Sequence, residues 1–268
     1  MYFYNIMNAI KIDNIMNAII DEKSNRILES VSHETLKDEY GKLFINNKEL
    51  LDSLYYAASV QQGLLPQERH FNRLFDEYFI LYRPLHIIGG DLYWVAQKNN
   101  IAYFAVADCT GHGVAGAMLS VLAVSFLNYA LFAKDYDNLG QILNEIDKKW
   151  LETFNFSFDY LFDNDWMELS LASFNLETRE LKFSGANNNI LIVNQNQLKE
   201  IKGNPYPIGG WQIAKNRTYK EHSVILNNNT LIYLGSDGFK DQLGGEKEKR
   251  YKRKNLYNLL KEISIEPL

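Results

Sequence analysis

"FAVADCTGHGVAGAML", Phe104–Leu119, decides how the rest of this chain is read. An apolar run arrives at Asp108, crosses a turn holding Gly111, His112 and Gly113, and continues as a helical run of small and apolar residues. A carboxylate at the end of a buried strand is rigidly aimed, and glycines beside it let backbone or ligand approach closely. Two further aspartates share this design, Asp91 in "IIGGDLYW" and Asp237 in "IYLGSDGF". Three such hard oxygen donors suit a divalent cation of the Mg²⁺ or Mn²⁺ kind, which favours oxygen over thiolate.

Each piece has a plainer reading when it stands alone. Asp237-Gly238 is a common turn pair, and Asp108 is a plausible helix cap. "GHGVAGA" lacks both the GK[ST] ending and the GxGxxG spacing of phosphate-binding loops. His112 has no second histidine at metal-ligand spacing, so a hydrogen-bonded structural histidine stands beside a ligand or proton carrier. "DYDNLG", Asp135–Gly140, imitates the start of an EF-hand loop but has Leu139 and Ile146 where that loop needs oxygen donors.

Outward from the opening stretch, residues up to about Leu65 read as helical. Leu51, Leu54, Tyr55 and Ala58 recur at i, i+3, i+4 and i+7, lining one face. That face serves as a dimer seam, as a docking surface on the following domain, or as ordinary core. Pro66 marks a boundary, which divides the chain into a helical segment with a linker helix (1–65) and a larger domain (66–268). Short β-rich segments follow: "EYFILY", "DLYWVAQ", "IAYFAVAD", "MELSLASFNL", "ELKFSG", "NILIV", "HSVIL" and "TLIYLGSD", separated by turn signals. Helices are expected from about Val114 to Ala133, from about Leu139 to Phe154, and at "NLYNLLKEI". Hairpin-joined strands with helices between them make the fold class α+β.

With 46% hydrophobic and 23% charged residues, the composition is that of a globular protein, and a net charge of −5 argues against nucleic-acid binding. The single cysteine, Cys109, cannot form an internal disulfide and is read as a small buried residue of a cytoplasmic protein. No membrane span and no signal peptide are expected. "NIMNAI" occurs twice, at Asn5–Ile10 and Asn14–Ile19, too short a duplication for a solenoid. The run "EKEKRYKRKN" reads as a solvated, salt-bridged surface, with docking of an acidic or phosphorylated partner as the other reading.

Taken in order, "YRPLHIIGGDLYWV", "VADCTGHGVAGAMLSVLA", "LKFSGANNNILIV", "PIGG" and "YLGSDGFKDQLGG" resemble the SpoIIE/RsbU-type branch of the metal-dependent (PPM, type-2C-like) serine/threonine protein phosphatases. "LLDSLYYAASVQQGLLP" resembles the linker helix that leads into that domain, and the resemblance spans roughly 50–260. It implies a four-layer α-β-β-α sandwich of two mainly antiparallel sheets, with two Mn²⁺ or Mg²⁺ ions between them. Asp91, Asp108 and Asp237 would be metal ligands and catalytic residues, with Asp108 shared and the backbone carbonyl of Cys109 contributing. Such a centre activates a water for in-line attack on a phosphoryl group, with no protein nucleophile.

The resemblance further implies a phosphorylated protein as substrate, a STAS-type anti-sigma-factor antagonist by analogy, and a linker-driven switch in the helix pair after Asp108. Arg83 either holds the substrate phosphate or makes a surface salt bridge. The family carries a further strand with an Asp-Asp pair after the last helix. Here the sequence ends at "EISIEPL" with no such pair after Asp241, so the last strand is expected to be missing. A pseudophosphatase that binds a phosphoprotein without turnover is therefore the alternative to the enzyme.

Overall fold

Two asparagines close the hairpin that organises the molecule. In the computed structural model, which describes residues 33–154, 165–210, 217–245 and 248–264, β1 (Asp91–Lys98) turns at Asn99–Asn100 into β2 (Ile101–Cys109). Asn99 sits at φ 56°, a left-handed conformation that asparagine tolerates better than most residues. The turn pairs Lys98 with Ile101 and therefore, at the far end, Asp91 with Asp108.

Further antiparallel pairing adds β3 (Trp166–Asn175), β4 (Glu180–Ala186) and β8 (His222–Ile225), in the order β1-β2-β3-β4-β8. The short β7 (Ile208–Gly209) also pairs with β3. A second antiparallel sheet has β5 (Ile190–Asn194) between β6 (Gln197–Ile201) and β9 (Leu231–Tyr233). A small ribbon joins β10 (Leu243–Gly244) to β11 (Lys249–Arg250).

The period-2 alternation of the strands separates the layers. Leu92, Trp94, Ala105, Ala107, Leu169 and Leu171 pack on one face of the large sheet against helices α3 (Gly113–Phe132) and α4 (Leu139–Phe154). On its other face, Ala172, Leu181 and Phe183 meet Ile190 and Ile192 of the second sheet. The outer face of that second sheet, through Leu191, Val193 and Tyr233, is covered by Leu256, Tyr257 and Leu260 of helix α6 (Arg253–Ile263). These are the four layers α-β-β-α that were expected. Around Val95 and Ala102 the inner face is capped by Phe71 and Leu74, in and just after the short helix α2 (Glu68–Asn72).

Helix α1 is His33–Leu64, and the chain forms two compact units, Met1–Tyr55 and Tyr56–Leu268. The helical expectation for residues 1–32, and the "NIMNAI" pair within them, lie outside the described residues. Within the larger unit, Gln61 near the end of α1 is buried. Its Nε2 donates to the Gly89 carbonyl (2.7 Å) and to Ser120 Oγ (2.8 Å). The Gly89 N–H donates back to Gln61 Oε1 at 3.4 Å.

Three expectations are corrected. "EYFILY" is not a strand: Phe79 packs its ring near that of Tyr233 at 6.1 Å, but the segment makes no ladder, and β propensity without a paired neighbour does not make a strand. "TLIYLGSD" forms a strand only over Leu231–Tyr233, so Asp237 lies beyond its end, as the N-cap of the one-turn helix α5 (Gly238–Asp241). The sequence does contain a segment, Gly113–Phe132, apolar and long enough by length and composition to cross a membrane. That segment is α3, whose Leu119, Ala123, Leu127 and Ala130 are buried against the sheet; a core helix apolar on most faces passes the same test.

One buried ion pair ties α4 to the strand system. Arg217 Nη2 meets Asp147 Oδ1 at 2.8 Å, and the same oxygen accepts from the Gly209 N–H at 2.8 Å. Burial pushes the Asp147 carboxyl up even so, outweighing the Gly209 N–H and Arg217, which pull it down. Removing one partner leaves the other charge desolvated. Arg217→Ala is expected to destabilise the protein by about 3–5 kcal/mol in denaturant unfolding, whereas Lys148→Ala, at an exposed pair with Glu152, should cost under about 1 kcal/mol.

Candidate metal-dependent phosphatase site

Asp91 and Asp108 are directly opposed residues on adjacent strands, and Glu168 of β3 is opposite Asp108 in turn. By strand alternation all three project from the inner face of the large sheet, on the side of Val95, Ala102 and Ala172. Asp237 is brought to the group by the chain after β9. Asn188 Nδ2 donates to the Gly235 carbonyl at 3.0 Å, linking the β4–β5 loop to that segment. Ser236, beside Asp237, faces the Asp91 carboxylate and draws its pKa down.

Desolvation is the largest influence on these groups. It raises Asp108 to about 7, with the charges of Asp91, Asp237 and Glu168 adding to the rise and Lys240 opposing it. Asp91 is also raised, by burial first and then by Asp237, against the lowering influence of Ser236 and Asp108. Glu168 is raised by burial and by Asp237, while Asn187 Nδ2, at 2.6 Å, holds its carboxylate. Burial likewise pushes the Cys109 thiol up, so it is an inert thiol in the core.

Close backbone contacts shape the turn. A Cβ on Gly90 would stand 2.6 Å from the Cys109 carbonyl oxygen, and one on Gly116 would stand 2.8 Å from the Gly111 carbonyl oxygen and 3.1 Å from Gly90 Cα. Gly111 takes φ 84°, turning the chain from β2 toward α3. Glycine at 90 and 116 is thus what lets the "GGD" backbone, the Cys109 carbonyl and the start of α3 nest together.

These residues fit a divalent cation. Asp91 Oδ1 is buried and has no hydrogen-bond partner among the described residues, and the carboxylates raise one another's pKa values, which a cation among them would reverse. Among the described residues, no three His, Cys, Asp or Glu converge closely enough to hold an ion unaided. Mg²⁺ commonly keeps several waters and takes only one or two carboxylates directly, so an open carboxylate cluster suits it.

Arg83 is exposed and makes no hydrogen bond or ion pair among the described residues, so the surface salt bridge considered for it is absent there. Its neighbour Tyr82 donates its hydroxyl to the Asp91 carbonyl at 3.2 Å. Glu168, Ser236 and Lys240 were not picked out from the sequence. For Glu168 a signal existed, a charged residue in phase with the inward Ser170 and Ala172 of its strand.

Residues 99–268 match the family described as Stage II sporulation protein E (SpoIIE). The chain belongs to the SpoIIE family. Among solved structures it is similar to the SiaA-PP2C domain of Pseudomonas aeruginosa, at 28% identity and TM-score 0.73, over 83% of this chain and 86% of that one. The RsbU and RsbW domains of a Mycobacterium tuberculosis protein share the fold, at 17% identity and TM-score 0.53, over 66% of this chain and 46% of that one. No curated protein sequence matches it. As a SpoIIE-family, PP2C-type domain the protein is a phosphatase and a hydrolase, of a type that depends on metal.

With its pKa raised above the ordinary carboxylate value, Asp108 opposes folding when ionised. That penalty is absent below about pH 4, grows as pH rises, and is complete once pH passes about 7. In the metal-free SpoIIE-family chain, Asp108→Asn should therefore raise the Tm at pH 8 by roughly 2–4 °C and change it little at pH 4.

Proposed function

We propose that this SpoIIE-family domain is a Mn²⁺- or Mg²⁺-dependent phosphatase acting on phosphoserine or phosphothreonine of a protein in bacterial signalling. The observation that carries the reading is the cross-strand pair of Asp91 and Asp108, desolvated, with one oxygen of Asp91 unpartnered among the described residues. Asp91, Asp108 and Asp237 would hold the ions, with the Cys109 carbonyl, against which Gly90 packs, as a further ligand. When bound there, two divalent ions supply an activated water and neutralise the charge of the phosphoryl oxygens.

The remaining roles belong to the chain. Glu168, oriented by Asn187, offers an acceptor for water beside Asp108, and Lys240 is the cation that offsets the carboxylates. Arg83, without a partner among the described residues and next to Tyr82, is assigned to the substrate phosphate, since a guanidinium matches phosphate geometry. By family analogy the substrate is a STAS-type anti-sigma-factor antagonist. The phosphatase domain is taken as 66–268, preceded by α1, His33–Leu64, whose apolar face, with Leu51 and Tyr55 exposed, supports a homodimer through that helix.

The openness of the carboxylate cluster favours one second reading, a pseudophosphatase that binds a phosphoprotein without turning it over. Hydrolysis of an aryl phosphate by the 268-residue chain separates the two. Activity that requires Mn²⁺ and falls about a hundredfold or more in Asp108→Asn is expected. A folded wild-type chain with no Mn²⁺-dependent activity would overturn the enzyme reading and favour the pseudophosphatase.

Position 116 tests the linker-driven switch. Because a side chain there would press on both Gly111 and Gly90, Gly116→Val should lower Mn²⁺-dependent turnover far more than it lowers Tm. Equal losses in both would count against a switch.

A further inference from the structure

The fold brings together two histidines far apart in the chain. His86 lies in the loop leading to Asp91 and His112 in the turn leaving Cys109, and their ring centroids are 5.3 Å apart with planes inclined at 47°. Both side chains are exposed, and neither makes a hydrogen bond or ion pair among the described residues. His112 precedes α3 without capping it through its side chain. The two loops are held against each other by the glycine contacts at the Gly90–Cys109 and Gly90–Gly116 crossings. The spacing of the pair therefore comes from the backbone and not from the imidazoles themselves.

That spacing suits shared ligation. An imidazole bound head-on at a metal–nitrogen distance of about 2.0–2.1 Å puts its ring centre about 3.2 Å from the ion, and two at a tetrahedral angle stand about 5.2 Å apart. The carboxylates that the same two loops carry add a negative potential that concentrates cations nearby.

We propose that His86 and His112 form a binding site for a divalent transition ion of the Zn²⁺ or Ni²⁺ class, separate from the carboxylate cluster. Imidazole nitrogens select such ions over Mg²⁺, which prefers oxygen. No third His, Cys, Asp or Glu joins the pair among the described residues, so the other coordination positions are open to water or to an oxygen of a bound ligand. The inference does not depend on the carboxylates holding a metal.

The test is calorimetric titration of Zn²⁺ into the full Asp108→Asn chain with Mg²⁺ in excess, so that the carboxylate cluster does not compete. One Zn²⁺ per chain is expected, with affinity reduced about tenfold or more by adding either His86→Gln or His112→Gln. No Zn²⁺ uptake, or uptake that both histidine changes leave untouched, overturns the site. Should a variant fail to fold, substoichiometric Ni²⁺ added to the unaltered chain decides by NMR. Paramagnetic broadening of the His86 and His112 imidazole signals, out of five histidines, supports the site, and broadening of others or of none rejects it.

Discussion

The candidate site depends on the register of one hairpin. A two-residue turn at Asn99–Asn100 sets which residues of β1 and β2 face each other, and seven steps away it opposes Asp91 to Asp108. Because strand faces alternate, a slip of one residue would turn one carboxylate out of the space between the sheets and put an apolar neighbour there instead. Two carboxylates placed side by side where water is scarce are unfavourable on their own. The packing of Val95, Ala102 and Phe104 farther along the same face, with the helices on the opposite face, supplies the stability against which that cost is set.

The second constraint is backbone proximity. At Gly90 and Gly116 the chain passes the Cys109 and Gly111 carbonyls at distances that no Cβ permits. This crossing makes the strand end, the turn and the first turn of α3 one mechanical unit. A displacement of α3 would therefore press on Gly90, the residue next to Asp91, without any side chain relaying it.

Much of this was legible in the sequence, for reasons particular to each element. The helix at Leu139–Phe154 was readable to the residue, because its apolar positions keep a helical period. The "KNN" turn between two apolar runs announced the first hairpin, and the three aspartates stood out through their glycine neighbours. What escaped depends on contacts between distant segments. "EYFILY" has the composition of a strand, but its ladder partner is decided by tertiary placement, and it packs through its aromatic rings and the Tyr82 hydroxyl instead. Glu168 becomes part of the site only through the pairing of β2 with β3. His112 reads as solitary until the loops fold and His86 arrives beside it. The apolar run of α3 cannot disclose by composition whether lipid or a sheet covers it.

The bonds of Gln61 have an angular consequence. An α-helix advances about 100° per residue, and Gln61 is fastened at once to Gly89 and Ser120. Within the larger unit, the azimuth of α1 from Tyr56 onward is thus set by its count from Gln61. Ala58, three residues before Gln61, is buried on the same side, and one residue inserted between them would swing it about 100° away from that bearing. For this stretch the phase of the helix is as tightly constrained as its length.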